Sequence, residues 1–177
     1  MTKKTNEGPK ILLDSDVIIH FTKAGQQLQL PKIFPGRFVI LDKVKAELDK
    51  RKKSLVALEN FIEWTKIEVI PFPNNKEIII EYARLKASMG DGEAACMAVA
   101  KYNKDYIASS NLKDIRTYCE YFGIIYLTTM DILLEAYKKG ILDEVACDTF
   151  IKEVKSKDCK LIDGIDSIKQ YEQKVSK

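Results

Sequence analysis

The chain has 177 residues, 46% of them apolar and 31% charged, with a formal net charge of +3. That length supports one well-buried core, and the charge excess is too small to name nucleic acid as a partner on its own. No apolar run is long enough to cross a bilayer, and Cys96, Cys119, Cys147 and Cys159 lack both C-x-x-C zinc spacing and a disulfide framework, so buried thiols are the expectation.

The polar, charged first residues, with no apolar stretch behind them, predict a disordered lead-in over 1–9 and a cytoplasmic protein. A first strand is expected over 11–14, where Ile11, Leu12 and Leu13 run into Asp14. An all-apolar strand reads as buried and parallel, which puts Asp14 at its carboxyl end, where open α/β sheets hold ligands. Asp16 reads either as the N-cap of the next helix or as part of a site. His20, four residues further, fits a packed side chain better than a general base.

Pro35-Gly36 precedes a second strand over 38–41, and a basic helix follows over 43–53 with Val44 and Leu48 on one face and Glu47 at that face's edge. Lys43, Lys45, Lys50, Arg51, Lys52 and Lys53 make it either a solvated surface or a phosphate-binding one. A helix over 55–64 and a strand over 67–70 come next, the strand stopped by Pro71 and Pro73. In the helix expected over 76–88, Ile79, Ile80, Ala83 and Ala87 share the apolar side.

Met89-Gly90-Asp91-Gly92 breaks the chain before an alanine-rich helix over 93–102, with Asp91 a reserve ligand whose position fits an N-cap better. Glu93 falls in that helix's first turn, where the dipole favours negative charge, and Ala94, Ala95 and Ala98 allow close approach to a sheet. A strand over 106–109 leads into a helix over 112–122, with Asn111 and Asp114 spaced as a capping box. A strand over 124–127 and helices over 131–139, 142–154 and 165–174 complete the chain, and Trp64, Tyr118, Tyr121 and Tyr126 read as core and rim. Val145, Phe150 and Val154 in the penultimate helix are placed to cover a sheet edge or a dimer contact. Alternating strands and helices predict right-handed crossovers and a parallel sheet covered on both faces, an α/β fold.

Asp14, Glu47, Glu93 and Asp114 are thereby expected at one edge of one sheet. At an effective dielectric near 20, two like charges about 5 Å apart repel by roughly 3 kcal/mol, so a converging set needs protons or a cation. Oxygen donors without His or Cys select Mg²⁺ or Mn²⁺, which suits phosphodiester hydrolysis.

In order and spacing, Asp14-Ser15-Asp16-Val17-Ile18, Glu47 within Lys45-Ala46-Glu47-Leu48, Gly92-Glu93-Ala94-Ala95 and Ser109-Ser110-Asn111-Leu112-Lys113-Asp114-Ile115 resemble the four acidic motifs of PIN-domain nucleases. The resemblance implies a three-layer α/β/α fold with a five-stranded parallel sheet in order 3-2-1-4-5, in a nuclease domain over 10–140. Helices over 141–177 would form an extension packed on it.

It further implies a Mg²⁺- or Mn²⁺-dependent endoribonuclease with Asp14, Glu47, Glu93 and Asp114 as metal ligands. Asp16, where many relatives carry Ser or Asn, is a candidate fifth. Asn111, Ser109 and Ser110 would give polar support, and Lys43, Lys45 and Arg116 are candidates for phosphate contacts. RNA is then the substrate. An antitoxin protein is a candidate partner, as in VapC-like toxin pairs, and a second copy of the chain is another.

Two other readings remain open: a PIN-like RNA- or protein-binding module without turnover, and a haloacid-dehalogenase-type phosphatase with Asp14 as nucleophile. The second leaves Glu47 idle and finds Ile18 and Lys101 where its motifs want other residues or another place in the chain.

Overall fold

A computed structural model describes residues 8–50, 55–157 and 159–176, with the side chains of 55–58 and 114 outside that description. Five strands, β1 (Ile11–Leu13), β2 (Phe38–Leu41), β3 (Glu68–Ile70), β4 (Tyr106–Ala108) and β5 (Tyr126–Leu127), form one sheet in the order β3-β2-β1-β4-β5. Every pairing is parallel, as expected. β1 lies at the centre because Ile11, Leu12 and Leu13 expose nothing on either face, a composition that only a covered strand tolerates.

The helices are α1 (Ser15–Lys23), α2 (Leu30–Ile33), α3 (Asp42–Asp49), α4 (Leu55–Thr65), α5 (Lys76–Leu85), α6 (Asp91–Asn103), α7 (Leu112–Phe122), α8 (Thr129–Lys138), α9 (Glu144–Ser156) and α10 (Ile168–Val175). The short α2 and the 3₁₀ turn Gln27–Gln29 before it have no counterpart in the sequence-based expectation. Arg51, Lys52 and Lys53, the end of the basic run, lie outside the described residues.

α6 is buried all round from Gly92 to Ala100 and packs on β1, β2 and β4 as well as on α3, α5 and α7. Its alanines make that position possible, since a helix apolar on every side is stable only inside a core and small side chains let its axis approach the strands. α9 packs on α1 and α8, and α10 on α8 and α9.

On α5 the expected face is corrected. Ile78, Glu81 and Leu85 are buried, while Ile79 and Ile80 stay 42% and 59% exposed and Ala83 and Ala87 face solvent. Three successive isoleucines fit two phases of the helix. The buried one is fixed by Glu81, whose carboxylate accepts from the Tyr118 hydroxyl and pairs with Arg84 and Lys101. Trp64 and Tyr121, expected in core and rim, are 55% and 81% exposed. Val145 is likewise exposed, whereas Phe150 and Val154 are buried. Cys96, Cys119 and Cys147 are buried thiols and Cys159 is half-buried. No helix among the described residues is long and apolar enough to cross a membrane.

Candidate active site

From β1 the chain builds outward through β2 to β3, then returns to place β4 on the other side of β1. The crevice at the carboxyl ends of β1 and β4 is therefore the switch point of the sheet. Leu13 pairs with Ala108, and the Asp14 N–H donates to the Ala108 carbonyl at 2.9 Å, so Asp14 and Ser109 leave the sheet side by side.

Asp14, 5% exposed, caps α1: its Oδ1 accepts the Ser15 N–H at 2.7 Å. The cap expected at Asp16 belongs to Asp14, because the helix begins one residue after the strand. Asp16 instead ties two elements together, with Oδ1 accepting from its neighbour Val17 N–H and Oδ2 from the Ser110 N–H across the crevice, both at 2.7 Å. Ser109 is fully buried; its Oγ accepts the Asn111 N–H at 3.3 Å, and its hydroxyl favours the charged forms of the neighbouring Asp14 and Asp16.

Glu93, 7% exposed, receives the Asn111 side-chain amide on Oε1 at 3.0 Å. The expected Asn111–Asp114 capping box is corrected on that account: Asn111 is the N-cap of α7 by position but makes no side-chain cap bond. Glu47, half-buried on α3, accepts the Gly92 N–H on Oε2 at 2.9 Å. It thus caps α6 from a neighbouring helix, where Gly90 at the N-cap has no side chain to do so. Asp91, expected as that cap, is a helical residue bound by the Tyr82 hydroxyl and by Lys86 at 2.9 Å. The backbone of Asp114 lies in the first turn of α7; its side chain lies outside the described residues.

Of the candidate phosphate-binding cations, Lys45 is paired with Asp49 at 2.7 Å and Arg116 is exposed on α7. Lys43, one turn before Glu47, sits 5.5 Å from the Tyr82 ring centroid and 5.9 Å from that of Phe72. His20 is buried, as expected, and its Nδ1 is 2.8 Å from Thr129 Oγ1.

The charges crowd one another. Burial, then the neighbouring charges of Asp16 and Glu93, push the Asp14 carboxyl up to about 8 from an ordinary value of 3.8, against the stabilising bonds from Ser15 and Ser109. Burial also raises Asp16, opposed by the Ser110 and Val17 N–H groups. The Cys96 thiol, one turn along α6 from Glu93, is raised far above its usual range by burial and by the fields of Asp14, Glu93, Asp16 and Glu47. All four carboxylates thus lie within electrostatic reach of one buried sulfur. Among the described residues no three His, Cys, Asp or Glu groups already form a set that could hold a metal ion, and that search does not include the Asp114 side chain.

Gly92 is a functional position that a helix-breaker reading of the sequence misses. A Cβ there would lie 3.1 Å from Glu47 Oε2, 3.1 Å from Val44 Cγ2 and 3.2 Å from the Val44 Cα, and backbone cannot step aside as a flexible side chain can. Glycine lets α6 approach α3 closely enough for Glu47 to reach its N-terminus with no neighbour displaced. Gly92→Ala is expected to cost about 1–3 kcal/mol, the usual range for overpacking, and to expose the Gly92 amide. Urea denaturation and amide exchange measure the two effects, and a wild-type midpoint would refute the close-approach argument.

The sheet order defines an α/β protein, with Asp14 and Asp16 beside Ser109 and Ser110 at its switch point. The family model DUF3368, described as a PIN domain, matches residues 10–165, and the chain belongs to that family. PIN domains are nucleases as a family, which sets the coarse class, hydrolase, and the match extends well beyond the 10–140 expected for the core fold. No curated protein matches in sequence. Among solved structures, VapBC2 from Rickettsia felis bound to a DNA fragment from their promoter is similar over 67% of this chain and 97% of that one, at 15% identity and a TM-score of 0.49.

Proposed function

We propose that the protein is a divalent-metal-dependent endoribonuclease, with the ion held by Asp14, Glu93, Glu47 and Asp114 and with Asp16 as a further ligand. The observation that carries this reading is the state of Asp14: a carboxyl driven up to about 8 marks a pocket that cannot hold its charges without a proton or a cation. The donor set fits a hard ion, being all oxygen, with the one nearby thiol, Cys96, held protonated. When bound, Mg²⁺ or Mn²⁺ supplies Lewis-acid stabilisation of the charge that develops on the phosphoryl oxygens.

The chain's own residues do the rest. Asn111 fixes Glu93, the Ser15 N–H fixes Asp14, the Ser110 N–H fixes Asp16, and Glu47 is oriented by α6 itself. Lys43 beside the paired rings of Phe72 and Tyr82, whose centroids are 4.9 Å apart, offers a cation and aromatic faces to a single-stranded backbone and its bases.

Two measurements test the reading. At 100 times its dissociation constant, Mn²⁺ should stabilise the fold by about 2.7 kcal/mol, which raises the melting temperature by on the order of 5–10 °C for a domain of this size. Purified protein should cleave single-stranded RNA with Mn²⁺ and not with EDTA. Indifference to the metal in both assays would favour the binding module without turnover. The antitoxin-paired role implied by the family resemblance predicts growth arrest on overproduction.

A further inference from the structure

The acidic pocket does not end at its carboxylates. Ser110, whose N–H binds Asp16, uses its hydroxyl elsewhere: its Oγ accepts the Thr129 N–H at 3.0 Å and donates to Thr129 Oγ1 at 2.9 Å. Thr129 is the first residue of α8 and is completely buried, so its N–H is one of the end groups that a helix cannot satisfy by itself. With its oxygen receiving the Ser110 proton, the Thr129 hydroxyl has its own proton left to give, and His20 Nδ1 lies 2.8 Å away to take it.

Burial, helped by the positive charge of Lys23, holds the imidazole down at about 4, so near neutral pH one ring nitrogen carries no proton and can accept. The result is a directed chain, Ser110 to Thr129 to His20, closed at its far end by a buried acceptor. At its near end the same Ser110 gives its backbone N–H to Asp16, and the next residue, Asn111, gives its amide to Glu93.

We infer that His20 is a positioning residue of the site: through Thr129 it locks Ser110, and with it the loop between β4 and α7 that holds Asp16 and Glu93 in place. His20 touches neither substrate nor ion in this role. Without its acceptor nitrogen, the Thr129 hydroxyl has to turn to Ser110 for a partner. Ser110 then loses a bond, and the loop gains freedom where two carboxylates depend on it. Outer partners of this kind usually change activity or metal affinity by about 10- to 100-fold when removed.

The activity part of this inference rests on the proposed nuclease reading, and the test separates the two. Three variants of the full chain are compared: His20→Phe, which keeps a ring and removes the acceptor; His20→Asn, whose amide oxygen can stand near the Nδ1 position; and Thr129→Val, which keeps shape and removes the hydroxyl. Amide exchange at Ser110 and Asn111 reads the loop directly and needs no catalysis.

Protection there should fall about tenfold or more in His20→Phe and Thr129→Val and return in His20→Asn. In Mn²⁺-dependent RNA cleavage, kcat should fall by about tenfold in the first two with KM within about twofold, and the double variant should be no worse than either single one. Wild-type protection in folded Thr129→Val, or His20→Asn behaving like His20→Phe, would overturn the inference. Should His20→Phe not fold, Thr129→Val decides. If the wild-type chain cleaves no RNA, the nuclease reading fails while the exchange measurement still settles the loop.

Discussion

Asp14→Asn is expected to lose metal-dependent RNA cleavage by about 100- to 1000-fold or more, the scale on which removal of a single charge-stabilising group acts, while the protein stays folded. The same substitution separates the site from the fold through pH. The Asp14 carboxyl lies at about 8 in the folded chain against 3.8 ordinarily, so the folded state holds that proton more tightly than the unfolded one. Its contribution to stability is therefore complete below about 3.8 and is lost progressively as pH rises through about 8.

Metal-free wild-type protein should accordingly become less stable from pH 5 to pH 8, and Mn²⁺ should restore the loss by taking the place of the proton. Asn at this position keeps the size and much of the hydrogen bonding without the charge. The metal-free variant should then match or exceed the wild-type melting temperature at pH 8, with a flatter pH profile and no response to Mn²⁺. Thermal melts across that range, with and without the ion, check each part, and full cleavage by the variant would eliminate the metal-holding role of Asp14.

Phe150→Ala is expected to have the largest effect on stability, about 3–5 kcal/mol, the usual range for deleting a buried aromatic side chain. Phe150 is 1% exposed and meets Phe21 of α1 edge-on, with ring centroids 4.8 Å apart. Helix α1 begins directly after Asp14 and carries Asp16 and His20, so α9 braces the helix that bears both. From α10, the Tyr171 hydroxyl donates to Asp131 Oδ1 at 2.6 Å, and Asp131 closes the capping box of Thr128 that starts α8 next to Thr129.

We propose on these contacts that residues 141–177 form one folding unit with residues 10–140. A drop in melting temperature on the order of 10 °C, in a single transition, is the expected outcome for Phe150→Ala. A change below about 1 kcal/mol, smaller than most buried aromatic deletions, would make the terminal helices an appendage.

How much of this was legible beforehand differs from residue to residue. The run Ile11-Leu12-Leu13 followed by Asp14 announced a central buried strand with a carboxylate at its end, because apolar β-branched and aliphatic residues fit a covered sheet and an acid does not. The alanines of α6 likewise announced a helix pressed against that sheet. The phase of α5 was not legible: Ile78, Ile79 and Ile80 offer equivalent apolar signals, and the buried Glu81 carboxylate, paired with Lys101 of α6 and hydrogen-bonded by Tyr118 of α7, decides between them. Nor was the role of Asn111, whose spacing to Asp114 suggests a local cap but whose amide is drawn to Glu93 from a different helix.

By itself the sequence determined the α/β class, the five strands and the helices other than α2 in chain order, and the acid at the end of β1, since these follow from periodicity, turn residues and charge along a single stretch of chain. Only the tertiary structure decided that Glu47 caps α6, that Gly92 lies close against the Val44 backbone, and that His20 reaches the loop between β4 and α7 through Thr129. Each of those depends on a contact between segments far apart in the chain, and local propensity carries no information about which distant backbone N–H or hydroxyl will be left without a partner when the helices close on the sheet.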